Sequence, residues 1–296
     1  MPMESPFWHY NASFDAKDVM QRYAVDAPPA QDGMVVNFLG VAVDPKIYPP
    51  ILADRGGTVE PIPFPSNWHA DIAEWGAALR AVDLSGPRFT MIELGCGWGC
   101  WMNNMGAAAR STGREVHVIG VEGDVGHIEF AHEALARNGF TPDQWTVVNG
   151  IAAGRAGTAL FPRQDHAGGS WGLEPVFGAT DEQRDAAVAS GSHDVLPMIP
   201  LEQIAADHER IDLLHIDIQG GEADLIEDCL ATLNEKVAYL VVGTHSRQIE
   251  GRLFDMMLAA GWYLEMERPA ILSVAGPAPI VTVDGLQGWR NLRILP

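Results

Sequence analysis

Short apolar runs alternate with segments in which apolar residues recur every three or four positions, and this alternation fills much of the chain after residue 88. Such runs are typical of buried parallel strands, and the intervening periodicity is typical of helices with one apolar face. The five runs are Phe89 to Leu94, Val116 to Val121, Trp145 to Val148, Ile211 to Ile216 and Ala238 to Val242. Two further runs, Trp262 to Glu267 and Ile280 to Asp284, predict a final antiparallel pair. The pattern therefore predicts an α/β fold, a doubly wound Rossmann-like sheet of seven strands.

Residues 1 to 88 lack this alternation and are expected to form an N-terminal extension. Met34 to Val43 is apolar and rich in β-branched residues, which predicts a strand, and the prolines that follow predict irregular structure. A helix with one apolar face should then begin near Ser66 or Asn67 and lead into the first strand of the sheet. Residues 89 to 296 are expected to form the main domain, with a long loop at about 161 to 200 where the regular pattern lapses.

Three glycines at alternate positions, Gly95, Gly97 and Gly99, separate the first strand of the sheet from a helix that begins near Trp101. Glycine lets the main chain turn sharply and lets a ligand approach it closely. Strand, glycine turn and helix start together predict a cradle for a nucleotide-like ligand. With Glu93 the spacing is E-x-G-x-G-x-G, which differs from the G-x-G-x-x-G fingerprint of dehydrogenases. It resembles the first motif of class I S-adenosylmethionine (SAM) methyltransferases, and this resemblance implies SAM as the cofactor.

An acidic residue just past the second strand, Glu122, is placed to accept hydrogen bonds from both ribose hydroxyls of an adenosine. Asp124 competes for that role, and Asn149 to Ile151 follow the third strand where such folds contact the adenine edge. The residues expected at the cofactor are Glu93, Gly95, Cys96, Gly97, Gly99, Trp101, Glu122, Gly123, Asn149, Gly150, Ile151 and Asp217.

The segment IDLLHIDIQGGEADLI, residues 211 to 226, contains a strand that ends at Asp217 and a glycine pair that opens a helix. It is similar to the D-L-L-K-I-D-V-E-G-A-E signature of the FkbM family of SAM-dependent methyltransferases, over about residues 89 to 265. The matching positions are Asp212, Leu213, Leu214, Ile216, Asp217, Gly220 and Glu222. His215, Gln219 and Gly221 stand where the signature has lysine, glutamate and alanine. The resemblance implies methylation of a hydroxyl, often on a sugar or a polyketide.

Two strand ends carry the expected catalytic groups, since ligands of open parallel sheets bind at the carboxyl ends of the strands. His245 follows the fifth strand and is the expected general base, because a neutral imidazole is available near neutral pH. His215 is the second choice, and Asp217 is expected to orient the acceptor hydroxyl. Alternatively, Asp217, Glu222 and His245 supply three ligands to a divalent cation, although no dedicated metal motif is present.

Two other regions are expected to lie over the acceptor. Trp68 and His69 come just before the lead-in helix, and Asp165, His166 and Trp171 belong to the long loop, where they are candidates for a lid. The expected pocket residues follow no recognisable motif. The sequence therefore indicates a small molecule or a saccharide as the acceptor but does not identify the compound.

Composition narrows the class of partner. The formal net charge is −20, from 39 acidic and 19 basic residues, which disfavours nucleic acid and membrane surfaces. The chain has only three cysteines, and its first residues show no secretory signal. Both observations predict that the protein is located in the reducing cytoplasm. The oligomeric state stays open, a homodimer included. Two other functions remain: a SAM-binding protein without methyl transfer, and a nicotinamide-dependent oxidoreductase, which the glycine spacing disfavours.

Overall fold

A computed structural model describes residues 5–296 and has a central sheet of eight strands. The strand order is β1-β13-β16-β12-β11-β5-β6-β7. Strands β12, β11, β5, β6 and β7 run parallel, and β16, β13 and β1 complete the sheet in antiparallel orientation. The longer strands are β5 (Arg88–Leu94), β6 (Glu115–Glu122), β7 (Trp145–Asn149), β9 (Gly157–Pro162), β10 (His193–Pro200), β11 (Leu213–Ile216), β12 (Tyr239–Thr244), β13 (Trp262–Arg268), β15 (Ile280–Val283) and β16 (Gly285–Asn291). The shorter strands are β1 (Asn11–Ala12), β2 (Val35–Val36), β3 (Ala42–Val43), β4 (Thr58–Val59), β8 (Ile151–Ala153) and β14 (Ile271–Ser273).

Helices pack on both faces of this sheet, which confirms the doubly wound α/β fold. Two large apolar clusters lie on opposite faces, one containing α3 and α4 and the other containing α8 and α9. The helices are α1 (Ala16–Tyr23), α2 (Pro49–Leu52), α3 (Ile72–Leu84), α4 (Cys100–Ser111), α5 (Val125–Arg137), α6 (Asp181–Ser190), α7 (Leu201–Ile204), α8 (Glu222–Lys236) and α9 (Arg247–Ala259). Each parallel strand therefore ends at the same edge of the sheet, where the loops lead into helices.

The antiparallel end of the sheet differs from the prediction in two ways. The strand that pairs with β13 is Gly285–Asn291, whereas Ile280–Val283 pairs with Ile271–Ser273 in a separate hairpin. The eighth strand is β1, a two-residue strand from the N-terminal region that pairs with β13. The apolar residues at 280 to 284 made that segment the expected strand of the sheet. The strand buried in the sheet is instead the more polar segment that follows it, Gly285–Asn291.

Residues 8 to 84 contribute to the same apolar cluster as helix α4. Helix α1 packs against α3, and the expected strand at 34 to 43 is a hairpin of β2 and β3. The cap of α3 is Asp71, whose Oδ1 accepts hydrogen bonds from the backbone amides of Ala73 and Glu74, rather than Ser66 or Asn67. Asn67 instead accepts hydrogen bonds from the amides at 69 and 70, which fixes the turn before the helix.

The segment from 161 to 200 is more regular than the expected loop. Thr180 and Gln183 form a capping box at the start of α6, and β10 pairs with both β8 and β9 in a three-stranded sheet. The irregular part is therefore shorter, from about 163 to 179. Prolines at both 197 and 200 obscured β10 in the sequence. Within the described residues, no helix is long and apolar enough to cross a membrane.

Candidate functional site

A cavity of about 1350 Å³ opens at the carboxyl ends of the parallel strands. Among the residues that the sequence singled out, its wall contains Glu93, Gly95, Cys96, Gly97, Trp101, Glu122, Gly123, Gly150, Ile151, Asp217, His215, Trp68, His69 and Trp171. Six others lie outside that wall: Gly99, Asn149, Asp165, His166, Glu222 and His245. Asn149 donates its side-chain amide to the carbonyls of Glu122 and Gly123, so it supports the loop rather than facing the cavity.

The glycine loop has left-handed backbone at all three glycines. A Cβ on Gly95 would lie 2.2 Å from the carbonyl oxygen of Asp217, so this glycine allows two backbone segments to pack closely. Gly99 caps helix α4 with φ 72°, and Cys96 is buried in the turn. A Cβ on Gly97 would lie 3.0 Å from the ring of Trp171, another residue of the cavity wall.

Glu93 secures the start of helix α4. Its carboxylate accepts hydrogen bonds from the backbone amides of Trp101 at 3.3 Å and Met102 at 2.9 Å. Two orphan amides of the first helical turn are satisfied in this way. Burial raises the pKa of Glu93 to about 8. Glu93 therefore has a structural duty that the sequence did not reveal.

Glu122 lies at the end of β6, as expected, and is 7% exposed. Its Oε2 accepts from the amide of Gly97 at 2.8 Å, and its Oε1 accepts from the amide of Asp124 at 2.8 Å. Asp124 lies outside the cavity wall, and its Oδ1 accepts from the amide of His127 and caps helix α5. One carboxylate thus links the glycine loop to the loop after β6, inside the cavity.

Three groups converge at the ends of β11 and β12. His245 Nδ1 lies 2.8 Å from Oε1 of Glu222, and its Nε2 lies 3.3 Å from Oδ1 of Asp217. One ligand atom from each of the three lies within 4.8 Å of the others. Glu222 is fully buried, and its Oε1 also accepts from the amides of Ile218 and Gly220. Asp217, with a side chain 44% exposed, is the member of this cluster that faces the cavity.

The charge state of His245 differs from the neutral imidazole expected at neutral pH. Burial by itself would lower the pKa of His245, but the hydrogen bond to Glu222 and the charges of Asp217 and Asp284 outweigh it and raise this pKa to about 9. Both ring nitrogens also lie beside carboxylates. With this pKa His245 carries a proton near neutral pH and contacts two carboxylates.

His215 is 1% exposed and stacks in a tilted arrangement against Trp101, with the ring centroids 5.1 Å apart. Its Nε2 lies 3.1 Å from Oε1 of Glu74, which comes from the first turn of α3. Burial opposes the charged ring, but the hydrogen bond and charge of Glu74 outweigh it and raise the pKa of His215 above its ordinary value. The first turn of α3 thus contributes a carboxylate to the wall of the site.

A second, smaller chamber of about 270 Å³ lies on the other side of Asp217. Trp68, His69, Asp217 and Asp284 line both chambers. Enclosure lowers the pKa of His69 to about 4, so its ring is neutral. Arg268 also lines the small chamber, and its Nε lies 2.5 Å from Oδ2 of Asp71. Sequence reasoning missed both Arg268 and Asp284, because neither belongs to a local motif.

The fold and this site together define an α/β protein with a nucleotide-type cradle at its strand ends. A protein of Jannaschia sp. (strain CCS1) named "Putative methyltransferase" is 43% identical over 272 residues, which cover 92% of this chain and 97% of that relative. The chain therefore belongs to this methyltransferase family. No protein-family model matches the chain.

Solved structures also resemble the chain. The methyltransferase FkbM from Methylobacillus flagellatus KT is 12% identical, with a TM-score of 0.46, over 74% of this chain and 54% of that one. The N-terminal domain of human METTL16 in complex with SAH is 14% identical, with a TM-score of 0.40, over 75% of this chain and 71% of that one.

Proposed function

We propose that this chain is a SAM-dependent methyltransferase that methylates a hydroxyl group of a small molecule or a saccharide. The observation that carries the proposal is the position of Glu122, whose carboxylate is buried in the cavity and bonded to the amide of Gly97 in the glycine loop. An acid at this point suits ribose hydroxyls. Asp217 follows the strand of the FkbM-like segment and lines the same cavity. Family membership supports methyl transfer, and the FkbM resemblance supports a hydroxyl acceptor.

The cavity has the chemistry to hold SAM. Glu122 would hold the ribose, the loop of residues 95 to 99 would lie beneath the cofactor, and Gly150 and Ile151 would border its base. When bound, SAM supplies a methyl group that is already activated on a sulfonium. Positioning of the acceptor oxygen accounts for most of the effect of such an enzyme, up to roughly 7–11 kcal/mol.

Asp217 is the residue that we assign to the acceptor hydroxyl. It lines both chambers, and its Oδ1 lies 3.3 Å from Nε2 of His245. The imidazolium of His245 fixes the orientation of this carboxylate. Asp217 Oδ2 would accept the proton of the hydroxyl as its oxygen takes the methyl group, while the C–S bond to that methyl group breaks and SAH leaves. His245 is thus a positioning residue in this proposal. The small chamber of about 270 Å³ suits one acceptor group rather than a polymer.

A divalent cation is the competing use of the same cluster. Asp217, Glu222 and His245 would be its ligands, but the raised pKa of His245 favours the protonated ring, and a cation would have to displace a ring proton to bind there. We therefore propose base-assisted transfer without a metal. Methyl transfer that survives exhaustive chelation supports this choice, whereas transfer that stops and returns on addition of Mg²⁺ contradicts it.

The test of the function has two stages. Isothermal titration calorimetry with SAM, S-adenosylhomocysteine (SAH) and NAD identifies the cofactor class, and heat from NAD alone would overturn the proposal. Release of SAH is then measured with panels of hydroxylated small molecules and sugars, and with RNA oligonucleotides as the alternative acceptor class. Asp217→Asn should bind SAH within a few-fold of the parent and lose about 10²–10⁴-fold in turnover. Transfer to RNA alone would refute the acceptor class.

A further inference from the structure

Residues 164 to 172 form a strap beside the cavity, with contacts to two other elements. On one side, Ala167 packs against Gly126 at the start of helix α5, where an added Cβ would lie 2.6 Å away. On the other, Gly172 faces Gln219 in the turn after β11, with 3.3 Å between its Cβ position and Oε1. Within the strap, Gln164 Oε1 accepts from the amide of Ser170 at 2.9 Å. The strap is therefore a defined element that closes one side of the cavity.

His127 is the main point of attachment. Its Nε2 lies 3.4 Å from the amide nitrogen of Gly168 and 3.0 Å from Nε2 of Gln164. Because both partners are N–H donors, Nε2 is the acceptor, and the ring proton is on Nδ1. That nitrogen lies 3.7 Å from Oε1 of Glu122. His127 thus connects the strap to the carboxylate at the end of β6.

Trp171 is the residue that this attachment presents to the cavity. Its ring stacks on His127 with the centroids 4.1 Å apart and the planes 7° from parallel. The edge of the same ring lies 3.0 Å from the position of a Cβ on Gly97, whose amide donates to Glu122. Four side chains or backbone groups, from Gly97, Glu122, His127 and Trp171, therefore surround one end of the cavity.

We infer that Trp171, backed by His127, is the wall against which the adenosyl group of the cofactor packs, rather than a lid over the acceptor. The inference rests on the proposed SAM binding and adds residues that lie outside the glycine motif. The acceptor end, marked by Asp217 and His245, is bounded instead by residues of the small chamber. Asp165 and His166 are exposed and lie outside the cavity wall, so Trp171 is the one of these three loop residues that lines the cavity.

Calorimetric titration with SAH and with 5′-methylthioadenosine tests this assignment on the full chain. The second probe contains the adenosyl group and lacks the amino-acid tail. Trp171→Ala should raise the Kd of both probes by about tenfold, since a well-packed aromatic contact is worth that much. Trp171→Phe should keep much of the affinity, because a ring remains. Trp145→Ala is the matched control: Trp145 also contacts a histidine of α5, His132, in a tilted arrangement with the centroids 4.8 Å apart, but it does not line the cavity.

Each result separates the possibilities. Loss of affinity for both probes in Trp171→Ala, with Trp145→Ala within twofold of the parent, supports the assignment. An unchanged Kd, a loss confined to SAH, or tighter binding overturns it, the last because the indole would then obstruct the site. If Trp171→Ala does not fold, Trp171→Leu serves the same comparison. A parent protein that binds neither probe refutes the proposed function itself, which is a different outcome from failure of the Trp171 variants alone.

Discussion

His245 lies 2.8 Å from Glu222, a carboxylate with no exposed surface, and this carboxylate favours a protonated imidazole at the edge of the site. Burial opposes the charged imidazole, yet Glu222, Asp217 and Asp284 raise the pKa of His245 from 6.5 to about 9. A folded-state pKa above the unfolded value means that the pair stabilises the fold fully below pH 6.5. This contribution is lost as the pH rises through about 9.

Glu222→Gln should therefore flatten the dependence of stability on pH. The amide oxygen of glutamine can still accept from the amides of Ile218 and Gly220, but the charge that holds the proton on His245 is gone. Below pH 6.5 the variant should be less stable than the parent, by on the order of 3 kcal/mol at most, and the two should converge above pH 9. Urea denaturation across this pH range measures the difference. Glu227→Gln, on the exposed side of the same helix, is the control, and equal pH profiles for parent and Glu222→Gln would contradict the prediction.

The sequence predicted the parts of the fold that local patterns determine. The five parallel strands and the helices between them have short-range periodicity, and the glycine loop has a fixed spacing, so both were readable. Strand β16 was missed because it carries Gln287 and Asn291, which are buried. Distant groups satisfy both: Gln287 donates to the carbonyl of Glu250, and Asn291 donates to that of Val237. A polar strand can be buried when its partners are in place, and a single sequence does not reveal those partners.

The candidate site likewise combines features that local sequence patterns predict with features that depend on distant residues. Glu122 and Asp217 occupy the predicted strand ends, because the end of a parallel strand is a position that sequence defines. The charge of His245 depends on Glu222 and Asp284, and the wall of the second chamber depends on Arg268, which is far from the motifs. Both features depend on contacts between residues that are far apart in the sequence. Local sequence patterns show no sign of the carboxylates that keep a proton on His245, because only three-dimensional proximity brings them together. The general base itself stays a prediction.

The buried ion pair between Arg268 and Asp71 should be costly to break from one side. Both side chains are at least nine-tenths buried, at 7% and 4% exposed. Arg268→Met leaves the carboxylate without its countercharge and should lower the free energy of unfolding by about 3 kcal/mol. Combining it with Asp71→Ser, which keeps a capping oxygen for α3, should recover part of this loss. Urea denaturation measures all three proteins.

An exposed pair provides the control for that experiment. Arg88 and Glu115 form an ion pair with side chains 72% and 76% exposed. Arg88→Met should change the free energy of unfolding by less than about 1 kcal/mol. If Arg268→Met proved equally mild, the buried pair would not stabilise the junction of α3 and β13, and its place in the small chamber would be its main consequence.

Glu122→Gln should weaken cofactor binding more than it weakens the fold. Hydrogen bonds to a charged acceptor are worth about 1.5–3 kcal/mol, so the Kd for SAH should rise by roughly tenfold to a hundredfold. The amide oxygen of glutamine can retain one of the two backbone contacts, to Gly97 or Asp124, which limits the structural loss. Glu115→Gln, at the opposite end of the same strand, should leave the Kd unchanged. Equal Kd values for the two variants would remove Glu122 from the cofactor site.

Gly97→Ala should show whether the site needs a glycine here for contact with Trp171 as well as for its left-handed backbone. Gly97 has φ 51°, and an added Cβ would lie 3.0 Å from the ring of Trp171. Gly113 is its matched control, because it has φ 80° and no atom within 4 Å of the added Cβ. Both alanine variants should lose about 1–2 kcal/mol of stability from the strained backbone. Only Gly97→Ala should also push Trp171 away from the glycine loop and raise the Kd for SAH, by about tenfold. Calorimetry and thermal unfolding measure the two effects independently, and a Gly97→Ala protein that binds SAH like Gly113→Ala would show that the ring of Trp171 and the glycine loop do not form one binding surface.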